Sequence, residues 1–180
     1  MDAYRRYLDK GRSGSDIPHR GVVTLLYTVP GKRLWGGWQL GLLAIVQSGQ
    51  VFTVYDSVNG SNAFAAGTMR PNLIAGPASG PQTLARWFNT AAFASAAPFT
   101  FGDSPRSVLR GPAWKNVDLT LARTFKVTER ISTELRGEFF NAINRANFDT
   151  PGHTLGNPDF GVISSAEAAR TVQLALRIVL

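Results

Sequence analysis

The last ten residues of the chain read Thr171-Val-Gln-Leu-Ala-Leu-Arg-Ile-Val-Leu180, and apolar residues alternate with polar or small ones along them. Side chains along a β-strand point to opposite faces with a period of two residues. One face of this segment is therefore continuously aliphatic, and it comprises Val172, Leu174, Leu176, Ile178 and Leu180. Val179 is the one apolar residue on the other face. The segment predicts a terminal β-strand that has one greasy face.

The composition limits the class of protein. The 180 residues carry a net charge of +7, but charged residues make up only 17% of them, below the roughly 25% of ordinary soluble domains. So mild a basic excess does not indicate a nucleic-acid partner. The chain has no cysteine, which excludes disulfides and thiolate metal sites. It also has no apolar run near the ~20 residues that a membrane-spanning helix needs.

Strand-like alternation recurs at four places before the terminal strand. The predicted strands are 20–30, 37–54, 114–126, 131–144 and 171–180. Their connections alternate between short (30–36, 127–130) and long, irregular and Gly/Pro-rich (56–112, 145–170). Short turns at one rim and long loops at the other are typical of transmembrane β-barrels. The pattern predicts an all-β fold, an antiparallel up-and-down meander of about five long strands.

Two alternatives stay open on the pattern alone. Residues 131–144 also fit an amphipathic helix, with Ile131, Leu135 and Phe139 on one stripe, although the short connection before them favours a hairpin. A soluble secreted or periplasmic β-sandwich that acts as a binding module would show the same alternation. That alternative predicts that the apolar faces of the strands pack against each other.

The densest group of ionisable residues is formed by Asp118, Glu134, Arg136 and Glu138. Carboxylates so placed could perform acid–base chemistry. The simpler interpretation is a ladder inside a barrel, in which Arg136 lies between two carboxylates on one strand face. The short connection predicts that Arg136 lies opposite Thr120 or Ala122.

Other candidate sites are weak. His19 and His153 are isolated and lack metal-ligand spacing. Gly11-Arg-Ser-Gly14 matches neither a phosphate-binding loop nor a nucleophile elbow. We therefore predict no catalytic, cofactor-binding or metal-binding residues, no cofactor and no enzymatic activity.

One basic residue falls among apolar neighbours. Arg123 shares its strand face with Val117, Leu119, Leu121 and Phe125, so it is predicted to point at lipid. Because it is close to the 127–130 turn, its side chain can extend to the interface at little cost. The aromatic residues Tyr27, Trp35, Trp38 and Phe125 are predicted near the same rim, as an interfacial girdle would be.

An ordered set of short motifs resembles the C-terminal part of the barrels of TonB-dependent outer-membrane transporters, specifically the Oar-like group. The motifs are His19-Arg20, Tyr27-Thr-Val-Pro30, Gly36-Gly-Trp-Gln-Leu40, Gln47-Ser-Gly-Gln50, Arg70-Pro-Asn72, Trp87-Phe-Asn-Thr-Ala-Ala-Phe93, Leu109-Arg-Gly-Pro112, Asn116-Val-Asp-Leu119, Glu138-Phe-Phe-Asn141, Asn144-Arg-Ala-Asn-Phe148 and Phe160-Gly161. Each motif is loose by itself, whereas their succession over nearly the whole chain is fairly specific.

The resemblance implies a location in the outer membrane of a Gram-negative bacterium and energy-coupled uptake of a bulky substrate. It implies a barrel of about twenty-two strands, filled by an N-terminal plug and coupled to the TonB system. The implied partners are outer-membrane lipid and the rest of that barrel and plug. The C-terminus would be periplasmic, which places the 127–130 turn in the periplasm and the loops 56–112 and 145–170 outside the cell. The substrate and its contact residues stay unknown.

The chain departs from the family pattern in two ways. It ends in Leu180, where such barrels usually end in an aromatic residue. It also shows neither the plug nor most of the barrel, since five strands are fewer than the roughly eight of the smallest barrels. Separately, the polar start, Met1-Asp-Ala-Tyr-Arg-Arg6, shows no signal peptide. We therefore expect a fragment of a receptor that does not function alone, or the product of a truncated gene.

Overall fold

The computed structural model describes residues 5–31, 36–61 and 69–179 of the chain. They divide into two compact units. The sheet unit comprises His19–Gln47, Trp114–Asn147 and Glu167–Leu180, and the loop unit comprises Met1–Pro18, Ser48–Ala113 and Phe148–Ala166. Among the described residues no α-helix occurs. None of the described helical turns is long and apolar enough to cross a membrane.

The structure describes eleven strands. In chain order they are β1 (Arg20–Thr28), β2 (Trp38–Gln47), β3 (Val51–Phe52), β4 (Tyr55–Asp56), β5 (Asn72–Leu73), β6 (Phe93–Ala94), β7 (Leu109–Arg110), β8 (Trp114–Lys126), β9 (Ser132–Phe140), β10 (Thr154–Leu155) and β11 (Thr171–Val179). Two short 3-10 helices span Arg6–Asp9 and Thr90–Ala92.

The five long strands form one antiparallel sheet in the order β1-β2-β8-β9-β11. Its register aligns Leu25, Leu42, Leu119, Phe139 and Val172 in a single row across the strands. The predicted all-β meander of five strands is confirmed. Residues 132–140 form a strand, so the helical alternative for this segment was wrong.

The sheet has one apolar face. It carries the odd-numbered residues 21–27, 115–125 and 133–139 and the even-numbered residues 38–46 and 172–178. The opposite side, called the polar face here, carries the alternate residues. Aliphatic side chains of the apolar face are exposed at the edges, with Leu174 at 77% and Leu25 at 58%. The sandwich alternative needs two sheets packed face to face, whereas the five long strands form a single sheet.

The second strand is shorter than predicted, since it ends at Gln47 and not at residue 54. Gly49 explains this difference, because a Cβ there would overlap the carbonyl groups of Gly111 and Pro112. The chain turns at this close approach, and Val51–Phe52 pairs with β7 while Tyr55–Asp56 pairs with β10.

The other predicted strand ends also move. The first strand ends at Thr28 and the fourth at Phe140. Asn141 follows the fourth strand with a φ of +50°, and its N–H donates to Asp118 Oδ1 at 2.9 Å. This bond leaves the sheet ladder and ends the strand. Leu180, the last residue of the predicted terminal strand, lies outside the described residues.

The loop unit has an apolar core of its own. The sequence predicts only an irregular connection over residues 56–112 and not this core. The core consists of Phe52, Val54, Phe88, Ala92, Phe93 and Leu109. Phe88 is 1% exposed, and its ring centroid lies 5.1 Å from that of Phe160 and 5.9 Å from that of Phe93. The described parts of this connection, 56–61 and 69–112, are therefore packed, and aromatic residues from distant segments are buried together in the core.

Candidate functional site

The ionisable residues of the polar face form a ladder along β9. Arg136 Nη2 lies 2.7 Å from Glu134 Oε1, and Arg136 Nη1 lies 3.5 Å from Glu138 Oε1. Arg136 lies opposite Ala122 in the register, which is one of the two predicted neighbours. The predicted pairing of Arg136 with the two carboxylates of its strand face is confirmed, so both carboxylates have a cation beside them.

Asp118 does not join this ladder. Its Oδ1 accepts hydrogen bonds from Asn116 Nδ2 at 2.8 Å and from the N–H of Asn141 at 2.9 Å. The four residues that the sequence groups together are thus separated into an ion-pair ladder and an acceptor that shapes the end of β9. Asp118 supports backbone geometry there.

The two histidines belong to different units. His19 is exposed immediately before β1. His153 lies in the loop unit, where its ring centroid is 5.7 Å from that of Phe52 and 5.9 Å from that of Tyr55. Within residues 5–31, 36–61 and 69–179, no group of three or more His, Asp or Glu residues is placed to hold a metal ion.

Three residues form a compact group on the apolar face, called the rim cluster here: Trp38, Arg123 and Phe125. The guanidinium carbon of Arg123 lies 4.6 Å from the ring centroid of Phe125 and 5.6 Å from that of Trp38. The two rings meet edge to face at 6.5 Å and 89°. Trp35, predicted in the same girdle, lies outside the described residues, and Tyr27 is exposed on β1.

The rim cluster lies at the end of the sheet where a tight connection joins β8 to β9. The N–H groups of Val127 and Thr128 both donate to the carbonyl of Ile131, at 2.9 and 3.1 Å. The long connections leave the sheet at its other rim, after Gln47 and after Phe140. The two rims are called the turn rim and the loop rim below.

A family described as an outer membrane beta barrel domain matches residues 1–173 of the sequence. The chain belongs to this family. The barrel domain therefore lies in the outer membrane. No curated protein and no solved structure matches the chain. Outward positions of such barrels contact lipid and inward positions face a polar lumen, so the apolar face is the lipid face and the Arg136 ladder lines the lumen.

Two arginines of the barrel domain tie the N-terminal segment to the core of the loop unit. Arg70, 5% exposed, donates to the carbonyl of Leu8 at 2.7 Å and to Asp9 Oδ1 at 2.8 Å. Arg110 donates to Asp16 Oδ2 at 3.0 Å and to the carbonyl of Gly49 at 2.6 Å. Charge-assisted hydrogen bonds of this kind are the strong ones in proteins.

Asparagines organise the chain where β9 ends and β11 begins. Asn141 Oδ1 accepts from the N–H of Arg145 at 2.9 Å, and Asn144 Oδ1 accepts from the N–H of Arg170 at 3.2 Å. Asn147 is buried, and its Oδ1 accepts from the N–H of Lys115 at 3.0 Å. These bonds satisfy backbone donors that leave the sheet ladder.

The sequence motifs therefore mark scaffold positions. Arg70, Arg110 and Asn141 come from three motifs that the sequence singles out, and each makes several contacts that hold the backbone. Asp9 and Asp16 were missed, because nothing local distinguishes them. The signal that could have found them is the pair of arginine motifs, since a buried arginine requires a partner.

Proposed function

We propose that this barrel domain is the C-terminal part of a TonB-dependent outer-membrane transporter that takes up a bulky substrate. The observation that carries the proposal is the folded loop unit. Ordering long loops opposes folding by about 1–2 kcal/mol per residue. Here an aromatic core and two arginine–aspartate pairs offset that loss. A preordered loop surface favours binding, because less entropy is lost when the ligand arrives.

The loop unit also exposes apolar side chains that suit a bulky substrate. Val58, Ile74 and Phe99 are 62%, 62% and 78% exposed. Short turns of bacterial barrels are periplasmic and long loops are extracellular, so we propose that these side chains face the outside of the cell.

The sheet supports a larger barrel. Within the described part of the chain, β1 and β11 are paired on one side only. An open edge in lipid leaves backbone donors and acceptors unsatisfied. In a sheet of five antiparallel strands, the two edge strands run in the same direction, and here these are β1 and β11. An antiparallel barrel that includes them therefore requires an odd number of further strands, which we assign to the N-terminal barrel of the same receptor.

The test is binding to the coupling protein. The full protein that carries this domain is purified from outer membranes, and its binding to the purified periplasmic domain of TonB is measured by surface plasmon resonance. A general porin from the same membranes is the control. We expect saturable binding to the receptor and none to the porin. Equal signals for the two proteins would overturn the transport proposal while leaving family membership intact.

A further inference from the structure

We propose that the lipid face carries a binding site for the terminal segment of a glycerophospholipid acyl chain. The site is an apolar pit of about 300 Å³ in the sheet unit. Six residues of the lipid face line this pit, namely Leu25, Leu40, Leu42, Leu119, Leu121 and Phe139. The inference rests on membership of the barrel family and does not depend on transport.

A glycine in this leucine-rich face leaves room for the pit. Gly137 of β9 lies opposite Leu121 of β8 in the register, and the nearest atom to a Cβ at Gly137 would be 3.5 Å away. Leu121 and Phe139 therefore have a gap beside them where another large side chain would otherwise lie. Gly41 and Thr120, which are partners in the register of β2 and β8, complete the lining.

The walls of the pit select a hydrocarbon ligand, because Thr120 is the only lining residue with a polar side chain. An apolar cavity of about 150 Å³ lined by Leu, Ile and Phe stays dry and binds benzene. A pit of about 300 Å³ therefore has room for a longer hydrocarbon segment. Within a membrane, van der Waals contact supplies the affinity. A chain in the pit contacts protein on several sides, whereas a chain on a flat part of the face contacts it on one.

The depth of the pit matches the end of an acyl chain. Lys115 and Arg123 lie eight residues apart on β8, which is about 26 Å along a strand, and the apolar band of such a barrel is about 25 Å tall. Leu119 lies midway between them and therefore at the middle of the band, where acyl chains end. Leu121 is one row nearer the turn rim, whereas Val117, one row nearer the loop rim, does not line the pit. The chain is therefore assigned to a lipid whose headgroup lies at the turn rim.

The test is photocrosslinking with a labelled lipid. The full protein that carries this domain is purified in an alkyl glucoside and titrated with dipalmitoylphosphatidylglycerol that carries a diazirine at the end of one chain. Illumination forms covalent adducts, and peptide mass spectrometry locates them. Unlabelled dipalmitoylphosphatidylglycerol competes for the site. Dihexanoylphosphatidylglycerol supplies the same headgroup with chains too short to extend from the turn rim to the pit.

We expect saturable adducts at Leu42 and Leu119, which the long-chain competitor suppresses and the short-chain lipid does not. Contact governed by exposure alone predicts the opposite distribution, because Leu174 and Leu176 of β11 are 77% and 66% exposed and Leu119 is 40% exposed. Adducts at these β11 residues should rise linearly with the lipid. Adducts that follow exposure, or that fail to saturate at Leu119, would overturn the proposal.

A matched pair of variants tests the walls of the pit. Leu42→Phe enlarges a lining side chain, and Leu176→Phe makes the same change on the same face outside the pit. At subsaturating lipid, we expect Leu42→Phe to lower the adducts at Leu119 about fivefold or more and Leu176→Phe to leave them unchanged. An equal loss in both variants, or no loss in Leu42→Phe, would contradict the assignment. Circular dichroism verifies that each variant retains the sheet. The mapping of adducts in the parent protein needs no substitution, so it stays decisive if Leu42→Phe fails to fold.

Discussion

Arg70 contacts Asp9 across 61 residues of sequence, with Nη2 and Oδ1 2.8 Å apart. The other terminal nitrogen of the same guanidinium donates to the carbonyl of Leu8 at 2.7 Å. The side chain of Arg70 is 4% exposed, whereas that of Asp9 is 36% exposed. A nearly buried cation thus fixes the N-terminal segment. Together with the Arg110–Asp16 pair, it holds residues 5–18 in the loop unit.

Replacing Arg70 by Met should release this segment. The substitution removes both charged donors and leaves the carbonyl of the buried Leu8 without them, at an expected loss of about 1–3 kcal/mol. Cleavage by trypsin after the exposed Lys10 reports the opening, because proteolysis follows the population of the open form. We expect the rate to rise about tenfold or more, since ~1.4 kcal/mol is a factor of ten.

Arg12→Met is the matched control for this prediction. Arg12 lies in the same segment, but its side chain is 65% exposed and its Nε atom is 4.0 Å from Asp16 Oδ2. Such surface pairs contribute roughly 0–1 kcal/mol. Cleavage after Lys10 should stay within about twofold of the parent rate. Similar acceleration in both variants would show that the segment is held by something other than buried charge.

Gly49 should tolerate no side chain. A Cβ at this position would overlap backbone atoms of Gly111 and Pro112, and backbone cannot yield as a flexible side chain does. We expect Gly49→Ala to lower the free energy of unfolding by about 1–3 kcal/mol, as overpacking does. The measurement is urea unfolding followed by tryptophan fluorescence. Gly14→Ala, where no atom lies within 4 Å of the added Cβ, should be neutral; a loss there as large as at Gly49 would contradict the steric account.

The strands and one register could be predicted from local sequence, since alternation and connection length are local properties. The short connection after β8 restricted the partner of Arg136 to Thr120 or Ala122, and the structure has Ala122. Apolar alternation likewise marked the lipid face. These signals depend on residues two positions apart or on a single hairpin.

The loop unit could not be predicted in the same way. Phe88 and Phe160 meet in its core at 5.1 Å, yet no periodicity connects two residues so far apart in sequence. The end of β2 depends on Gly49 meeting a segment that follows a long connection. The arginine motifs were visible in the sequence, but their aspartate partners lie in a distant polar segment. Long-range packing, with no regular pattern, decided these features.

Phe88 should dominate the stability of the loop unit. It is 1% exposed and its ring contacts those of Phe52, Phe93 and Phe160. Phe88→Ala should cost about 3–5 kcal/mol, as truncation of a buried aromatic residue does. Hydrogen exchange of the amides of residues 69–110 should accelerate strongly. Phe99→Ala is the control, because Phe99 is 78% exposed, and it should leave these amides protected. Equal exchange in the two variants would show that Phe88 is not the centre of the core.

The assignment of the lipid face can be tested along β8. The chain has no cysteine, so single cysteines at residues 117 to 121 can carry nitroxide labels without further substitutions within these 180 residues. Val117, Leu119 and Leu121 lie on the apolar face, and Asp118 and Thr120 lie on the polar face. In the protein reconstituted in lipid vesicles, we expect oxygen to broaden the spectra of the odd-numbered labels. A water-soluble nickel complex should broaden those of the even-numbered ones.

The reason for this alternation is partitioning, since oxygen concentrates in hydrocarbon whereas the nickel complex stays in water. A second readout comes from charge. Leu119 lies midway between Lys115 and Arg123, so Leu119→Arg should destabilise the protein in vesicles by about 2–4 kcal/mol. Thr120→Arg, on the polar face beside Glu138, should have little effect. If both arginine variants unfold at the same urea concentration as the parent and the labels show no alternation, the odd-numbered face of β8 does not contact lipid.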